Sequence, residues 1–203
     1  MVVVFATLGL QLILPVELVL KPWWLLPALS GLLVVALLLI NPGRMDERSR
    51  VERMISLVLV AVVSIANGVS AGQLVAGIAT GTLGDQAARV LVSGGIVYWT
   101  NIVVFSLWYW EFDRGGPGMR AVGRAEYADL MFPQMSDPEL AHKDWEPSYL
   151  DYLYLSFTNA TAFSPTDVMP LRLWAKMTMM LQAAISLVLA LMVLAWAVSG
   201  LKS

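Results

Sequence analysis

The chain has no cysteine and a single histidine, His142, among its 203 residues. Without cysteine there is no disulfide, no thiolate metal site and no covalently attached c-type haem. One histidine in a polar stretch excludes, for a single chain, a haem held by two intramembrane histidines and the paired-histidine helix of a zinc protease. No nucleophile–base pair or phosphate-cradling loop is visible, so the residues point away from an enzyme, and they call for no cofactor. The two halves share no internal repeat, which weighs against an inverted-repeat transporter. Charge is scarce too. Only 14 % of residues are Asp, Glu, Lys or Arg, against about 25 % in soluble domains, too few to cover a water-exposed surface.

What is present is apolar sequence in long runs. Hydrophobic residues make up 58 % of the chain and its mean hydropathy is +0.70. Runs at 1–20, 23–40, 54–78, 90–110 and 173–198 are each about as long as the ~20 residues a helix needs to cross a bilayer. The first run has no basic segment before it and no small-residue cleavage site after it. It therefore reads as a first span, or the trimmed remainder of one, and not as a signal peptide. The expectation is an all-α, multi-pass transmembrane protein. It has a four-span region (1–110), a polar loop (111–148) and a C-terminal unit (149–203). Its partner is the lipid bilayer, and no nucleic acid is expected.

Punctuation between the runs fits this division. "KPWWLLP" (21–27) sets two tryptophans at an interface, and "NPGRMDERSRVER" (41–53) opens a short charged loop with turn residues. "SLWYWEFDRGGPG" (106–118) closes the fourth run with an aromatic belt, charges and a glycine stop. The loop beyond it carries "LMFPQMSDPELAHKDWEPS", too aromatic and proline-marked for a disordered linker, and is expected to be ordered with one short helix. In the third run, Gly68 and Gly72 form a GxxxG, read as ordinary helix packing or as a dimer face. Glu17 is expected to snorkel to the interface or to pair with Lys21.

The stretch "YLDYLYLSFTNATAF" (149–163) is compatible with a helix. About 15 residues at 1.5 Å each reach roughly 22 Å, short of the ~30 Å hydrocarbon core. It carries Ser156, Thr158 and Asn159, with Ser156 and Asn159 on one face. Polar backbone at membrane depth is tolerated where protein buries it or where it lines a watery cavity. Two readings follow. One is a re-entrant half-helix that turns at 164–166 and climbs out by Pro170, making five spans plus one half-helix. The other is an amphipathic helix lying in the interface. Asp151 reads as a helix-start acid. On the last run, Thr178, Gln182 and Ser186 share one face, continued by Ala190 and Val193. That face either lines a vestibule or packs against the third run. Met177, Met179 and Met180 read as flexible apolar filler.

"DYLYLSFTNATAFSPTDVMPL", followed by a long apolar run, resembles the pore module of potassium-channel-like proteins. That module has a pore helix, a filter of the form T-V-G-Y-G-D, a proline and an inner helix. The whole chain is also similar to an uncharacterised family of bacterial membrane proteins carrying the "LWYWE-DRGGP", "FPQM" and "DYLYLSFTNATAFSPTD-MPL" strings, for which no activity follows. The resemblance implies a homo-oligomer, a tetramer by analogy, in a bacterial inner membrane, with monovalent cations as its ligands. It aligns Thr161, Ala162, Phe163, Ser164, Pro165, Thr166 and Asp167 with the filter. Ser164 and Thr166 stand where the potassium filter has glycines. Pro165 lacks an N–H, fixes its own φ and pushes Ser164 toward extended backbone. A ring of backbone carbonyls of the potassium kind is therefore not expected. The hydroxyls of Thr161, Ser164 and Thr166, with Asp167, would coordinate instead. Asp167 also reads as a helix-start acid for the last run.

Charge placement opposes the channel-like topology. That topology puts ten of the thirteen basic residues outside, whereas the positive-inside rule puts the 41–53 and 111–148 loops in the cytoplasm. There they would meet anionic headgroups at about 1 kcal/mol per basic residue. Three functions stay open at this point: a small channel with a degenerate, non-potassium filter, a non-conducting structural or partner-binding membrane protein, and a small transporter.

Overall fold

A computed structural model of the chain describes residues 50–82, 87–121, 127–137, 139, 145–161 and 167–200. Gly9, Ile13, Leu14, Leu18 and Ala28 stand alone before them. Apart from those single residues, the expected spans 1–20 and 23–40 lie outside the described residues. So do the turn at 162–166 and both Glu17 and Lys21.

The apolar runs become helices of membrane-crossing length. Helix α1 is Arg50–Thr80, α2 is Ala87–Phe112 and α6 is Leu173–Gly200, with 31, 26 and 28 residues. At 1.5 Å per residue each exceeds the ~30 Å hydrocarbon core, and three helices are long and apolar enough to cross a membrane. This is a mostly helical membrane protein. Helix α1 stops at Gly81, whose φ of 67° closes the end: the Thr82 N–H reaches back to the Gly77 carbonyl at 3.0 Å, a left-handed glycine cap.

Between α2 and α6 the chain builds small elements. A 3-10 turn, Asp113–Gly115, follows α2 directly. Then come α3 (Pro117–Ala121), β1 (Leu130–Met131), α4 (Pro133–Ser136), α5 (Tyr149–Thr161) and β2 (Met169–Pro170). The polar loop is thus ordered where it is described, with two short helices where one was expected, and with a strand that hydropathy did not announce. β1 and β2 pair antiparallel, Leu130 opposite Pro170 and Met131 opposite Met169.

Helix α2 is the centre of the bundle. About two thirds of its apolar window is buried (67 %), against 17 % for α6. One core cluster joins Phe105 and Tyr109 of α2 to Tyr152 and Leu155 of α5, Ala175 and Met179 of α6, and Leu130 and Phe132 of the loop. A second joins Leu74, Val97 and Leu189 from the three long helices to Leu14 and Leu18 of the first run. Both clusters cross the division between residues 1–110 and 149–203, so those stretches share one interior. A close helix contact is at Gly94, where an added Cβ would stand 2.7 Å from Cγ2 of Val193. Only a residue without a side chain admits α6 there. Gly68 and Gly72 differ: both are exposed, and open space surrounds each.

Candidate functional site

The polar helix α5 is held at both ends. Its start is capped by an acid. The Asp151 carboxylate accepts from the Ser148 backbone N–H and from the Ser148 hydroxyl, each at 2.7 Å, the return half of a capping box with one methylene less than the Ser–Glu form. Asp151 is a helix-start acid, as its position promised. Helix α5 then runs along α2. The hydroxyls of Tyr149 and Ser106 lie 2.8 Å apart, the Ser156 hydroxyl donates to the Ile102 carbonyl at 2.6 Å, and the Tyr98 hydroxyl donates to the Ala160 carbonyl at 2.7 Å. Tyr98 lies about 21 Å inside the C-terminal end of α2 by helix rise. The 13 residues of α5 reach about 20 Å, so the helix ends near the middle of α2. By β2 the chain is back at the C-terminal end of α2, where the Leu171 N–H donates to the Asp129 carbonyl at 2.8 Å.

Deep in the bundle, the polar residues meet each other. Gln182 of α6 is fully buried. Its amide nitrogen donates to the Ser156 carbonyl and hydroxyl at 2.9 and 2.6 Å. Its amide oxygen accepts from the Tyr109 hydroxyl at 2.7 Å and the Asn159 amide at 2.8 Å. Asn159 also donates to the Met179 carbonyl at 3.0 Å. One turn further along α6, buried Ser186 accepts from Asn101 at 3.0 Å. All these groups are neutral, which suits a low-dielectric interior where an unpaired charge is costly.

A second, charged cluster sits where α2 ends. Asp113 is completely buried. One carboxylate oxygen accepts from the backbone N–H groups of Asp129 and Leu130 at 3.3 and 3.2 Å, and the other from the Tyr152 hydroxyl at 2.6 Å. Burial pushes the Tyr152 phenol well above its ordinary range, and the nearby carboxylate pushes the same way, so it donates as a neutral hydroxyl. Arg114 bridges Asp113 at 3.4 Å and, bidentate, Glu146 at 3.2 and 2.6 Å. The Arg120 guanidinium stacks over Trp110 and Tyr152, 4.4 and 5.2 Å from the ring centroids, and donates to the Trp110 and Asp113 carbonyls. Ser56 of α1 donates to Glu111 at 2.5 Å. Arg172, just before α6, pairs with Asp129 at 3.1 Å. The chain doubles back here through Arg114 at φ 51° and Gly115 and Gly116 at φ 79° and 93°. A Cβ at Gly116 would stand 2.9 Å from the Glu111 carbonyl oxygen, so the position demands glycine.

The expected site residues distribute as follows. Ser156, Asn159, Gln182 and Ser186 converge inside the chain, and the partners of Gln182 and Ser186 come from α2 and α5. Thr158 and Thr178 are half-buried and return their hydroxyls to helix carbonyls one turn earlier. Thr161 is exposed at the end of α5 and bonds back to Phe157 at 2.8 Å. Asp167 is exposed and separated from α6 by β2, so it does not cap that helix. Ala162, Phe163, Ser164, Pro165 and Thr166 lie outside the described residues. Sequence reasoning missed Asp113, Tyr109, Tyr98 and Asn101. An acid and an asparagine inside or beside an apolar run were the available signals. Among the described residues no group of three or more His, Asp or Glu is placed to hold a metal ion. No family model matches the chain, and no curated protein or solved structure matches it.

Proposed function

We propose that the chain is one subunit of a cation-conducting membrane channel assembled from copies of itself, of the potassium-channel-like type but without potassium's filter chemistry. The observation that carries this is the path of α5 and β2. The chain enters beside the end of α2, reaches half its length at Ala160 and is back at the same end by Leu171. A re-entrant half-helix of this kind ends at mid-depth. It also points the carbonyl end of the α5 dipole there, which favours cations. One chain supplies one such hairpin, so a central pore requires several around a symmetry axis, four by resemblance. Tyr154, Phe157 and Thr161 form an exposed side of α5 suited to meeting a neighbouring copy or the pore. Thr161, Ser164, Thr166 and Asp167 supply hydroxyl and carboxylate oxygen in place of a carbonyl ring.

Flux of potassium and sodium in proteoliposomes tests this reading. The expected result is passage of both ions with little preference, falling about tenfold in Asp167→Asn as a ring of charge is lost. Assembled protein that passes neither ion would sink the proposal.

One observation favours a second reading, a non-conducting scaffold. Ser156, Asn159, Gln182 and Ser186 all bond within the chain, and the exposed side of α6, with Met177, Met180, Leu187 and Leu191, is apolar. A silent but fully assembled protein is the outcome this reading requires.

A further inference from the structure

Helices α1, α2 and α6 line a half-open cleft of about 380 Å³. Its walls are mostly apolar, with Val104, Phe105, Leu181 and Ile185 among them, and the tilted rings of Trp108 and Phe112 lie 4.8 Å apart along one side. Ligand cavities generally run from about 300 to 1,000 Å³, so this one suits a small molecule and is too small for a two-chain lipid. Its polar groups are mostly engaged. The Trp108 indole donates to Ser64 at 2.9 Å, Ser64 donates to the Val60 carbonyl at 2.6 Å, and the Asn101 amide nitrogen donates to Ser186. Asn67 is the exception. It lines the cleft with its amide within reach of it, and no described residue hydrogen-bonds to that amide.

An unpaired amide in apolar surroundings is costly. An acyl chain in the cleft would leave that cost in place. Water there would find few partners besides Asn67, since hydrocarbon lines most of the cleft. A molecule that is apolar over most of its surface and carries one hydroxyl or carbonyl removes both difficulties, and the bilayer is where such molecules concentrate. We propose that the α1–α2–α6 cleft is a binding site for a small neutral amphiphile from the membrane phase, its polar group held by Asn67 and its apolar body lying against Phe105, Trp108 and Leu181. This site is independent of conduction.

The test is photolabelling of the full chain in phosphatidylcholine vesicles with an octanol that carries a photoactivatable diazirine. Adducts are mapped by mass spectrometry. Saturable labelling of Phe105, Trp108 or Leu181, competed by octanol and much less by octane, is the expected result. Asn67→Leu, close to Asn in size, lowers the octanol preference about fivefold, the loss of one hydrogen bond. Gly68→Leu, at a helical position where a side chain enters open space, fills the cleft and removes the saturable labelling. Both variants are compared with the parent chain for helix content and assembly size. Octane competing as well as octanol overturns the proposal in favour of an acyl-chain site. Unsaturable labelling spread along Leu187 and Leu191 of α6, or labelling unchanged in Gly68→Leu, overturns it outright.

Discussion

Two polar clusters anchor α5, and they are built from different chemistry. At the end of α2, the cluster around Asp113 is ionic. It gathers three guanidinium groups, four carboxylates and a phenol, with the aromatic rings of Trp110 and Tyr152 beside Arg120. Near the middle of α2, the cluster around Gln182 contains only amides, hydroxyls and backbone carbonyls. Charges survive where opposite charges and peptide N–H groups are in reach. Inside the bundle, a neutral amide with four hydrogen bonds satisfies the backbone and side chains without a desolvated ion. Position along the helix axis selects the chemistry.

The comparison breaks hardest at Asp113. Asp113→Ala leaves Tyr152 and two peptide N–H groups without their acceptor and Arg114 with Glu146 alone, and removing one member of a buried charged network costs about 3–5 kcal/mol. Unfolding in mixed detergent micelles should report a loss of that size, with α5 released first and buried Tyr152 newly open to chemical modification. Gln182→Leu tests the neutral cluster. Intramembrane hydrogen bonds average about 0.6 kcal/mol, with a maximum near 1.7, so losing four costs about 2 kcal/mol, less than Asp113→Ala in the same assay. A larger loss at Gln182 would invert the ranking drawn here. Arg172→Gln is expected to do least. Its bridge to Asp129 is largely exposed on the arginine side, and exposed pairs contribute about 0.2–1 kcal/mol. A shift at the upper limit would show that β2 depends on the bridge as well as on its pairing with β1.

Much of the helical framework was readable. Runs 54–78, 90–110 and 173–198 became α1, α2 and α6 because hydrocarbon solvates apolar side chains and leaves the backbone to bond to itself. Asp151 three residues after Ser148 marked the start of α5, and the length of the polar stretch kept it from being a full span. The common face of Thr178, Gln182 and Ser186 was visible as a period, but a period names a face and not its neighbour. Gly68 and Gly72 carried the familiar small-residue spacing, whereas the close helix contact formed at Gly94, where Val193 happens to arrive. Asp113 looked like one loop charge among several. Its role depends on Tyr152 and Leu130, residues far along the chain whose arrival no local pattern encodes.

With few charges and no cysteine, the chain by itself determined that it would be helical, lie in a membrane and carry one polar stretch too short to cross. Those outcomes follow from transfer energies and helix rise, which act residue by residue. Only the tertiary structure decided that the polar residues of α5 and α6 face each other, that α2 is their common wall, and that Asn67 opens onto a cleft. These depend on which helix faces meet, and hydrogen bonds between distant residues become favourable only once packing has brought them together.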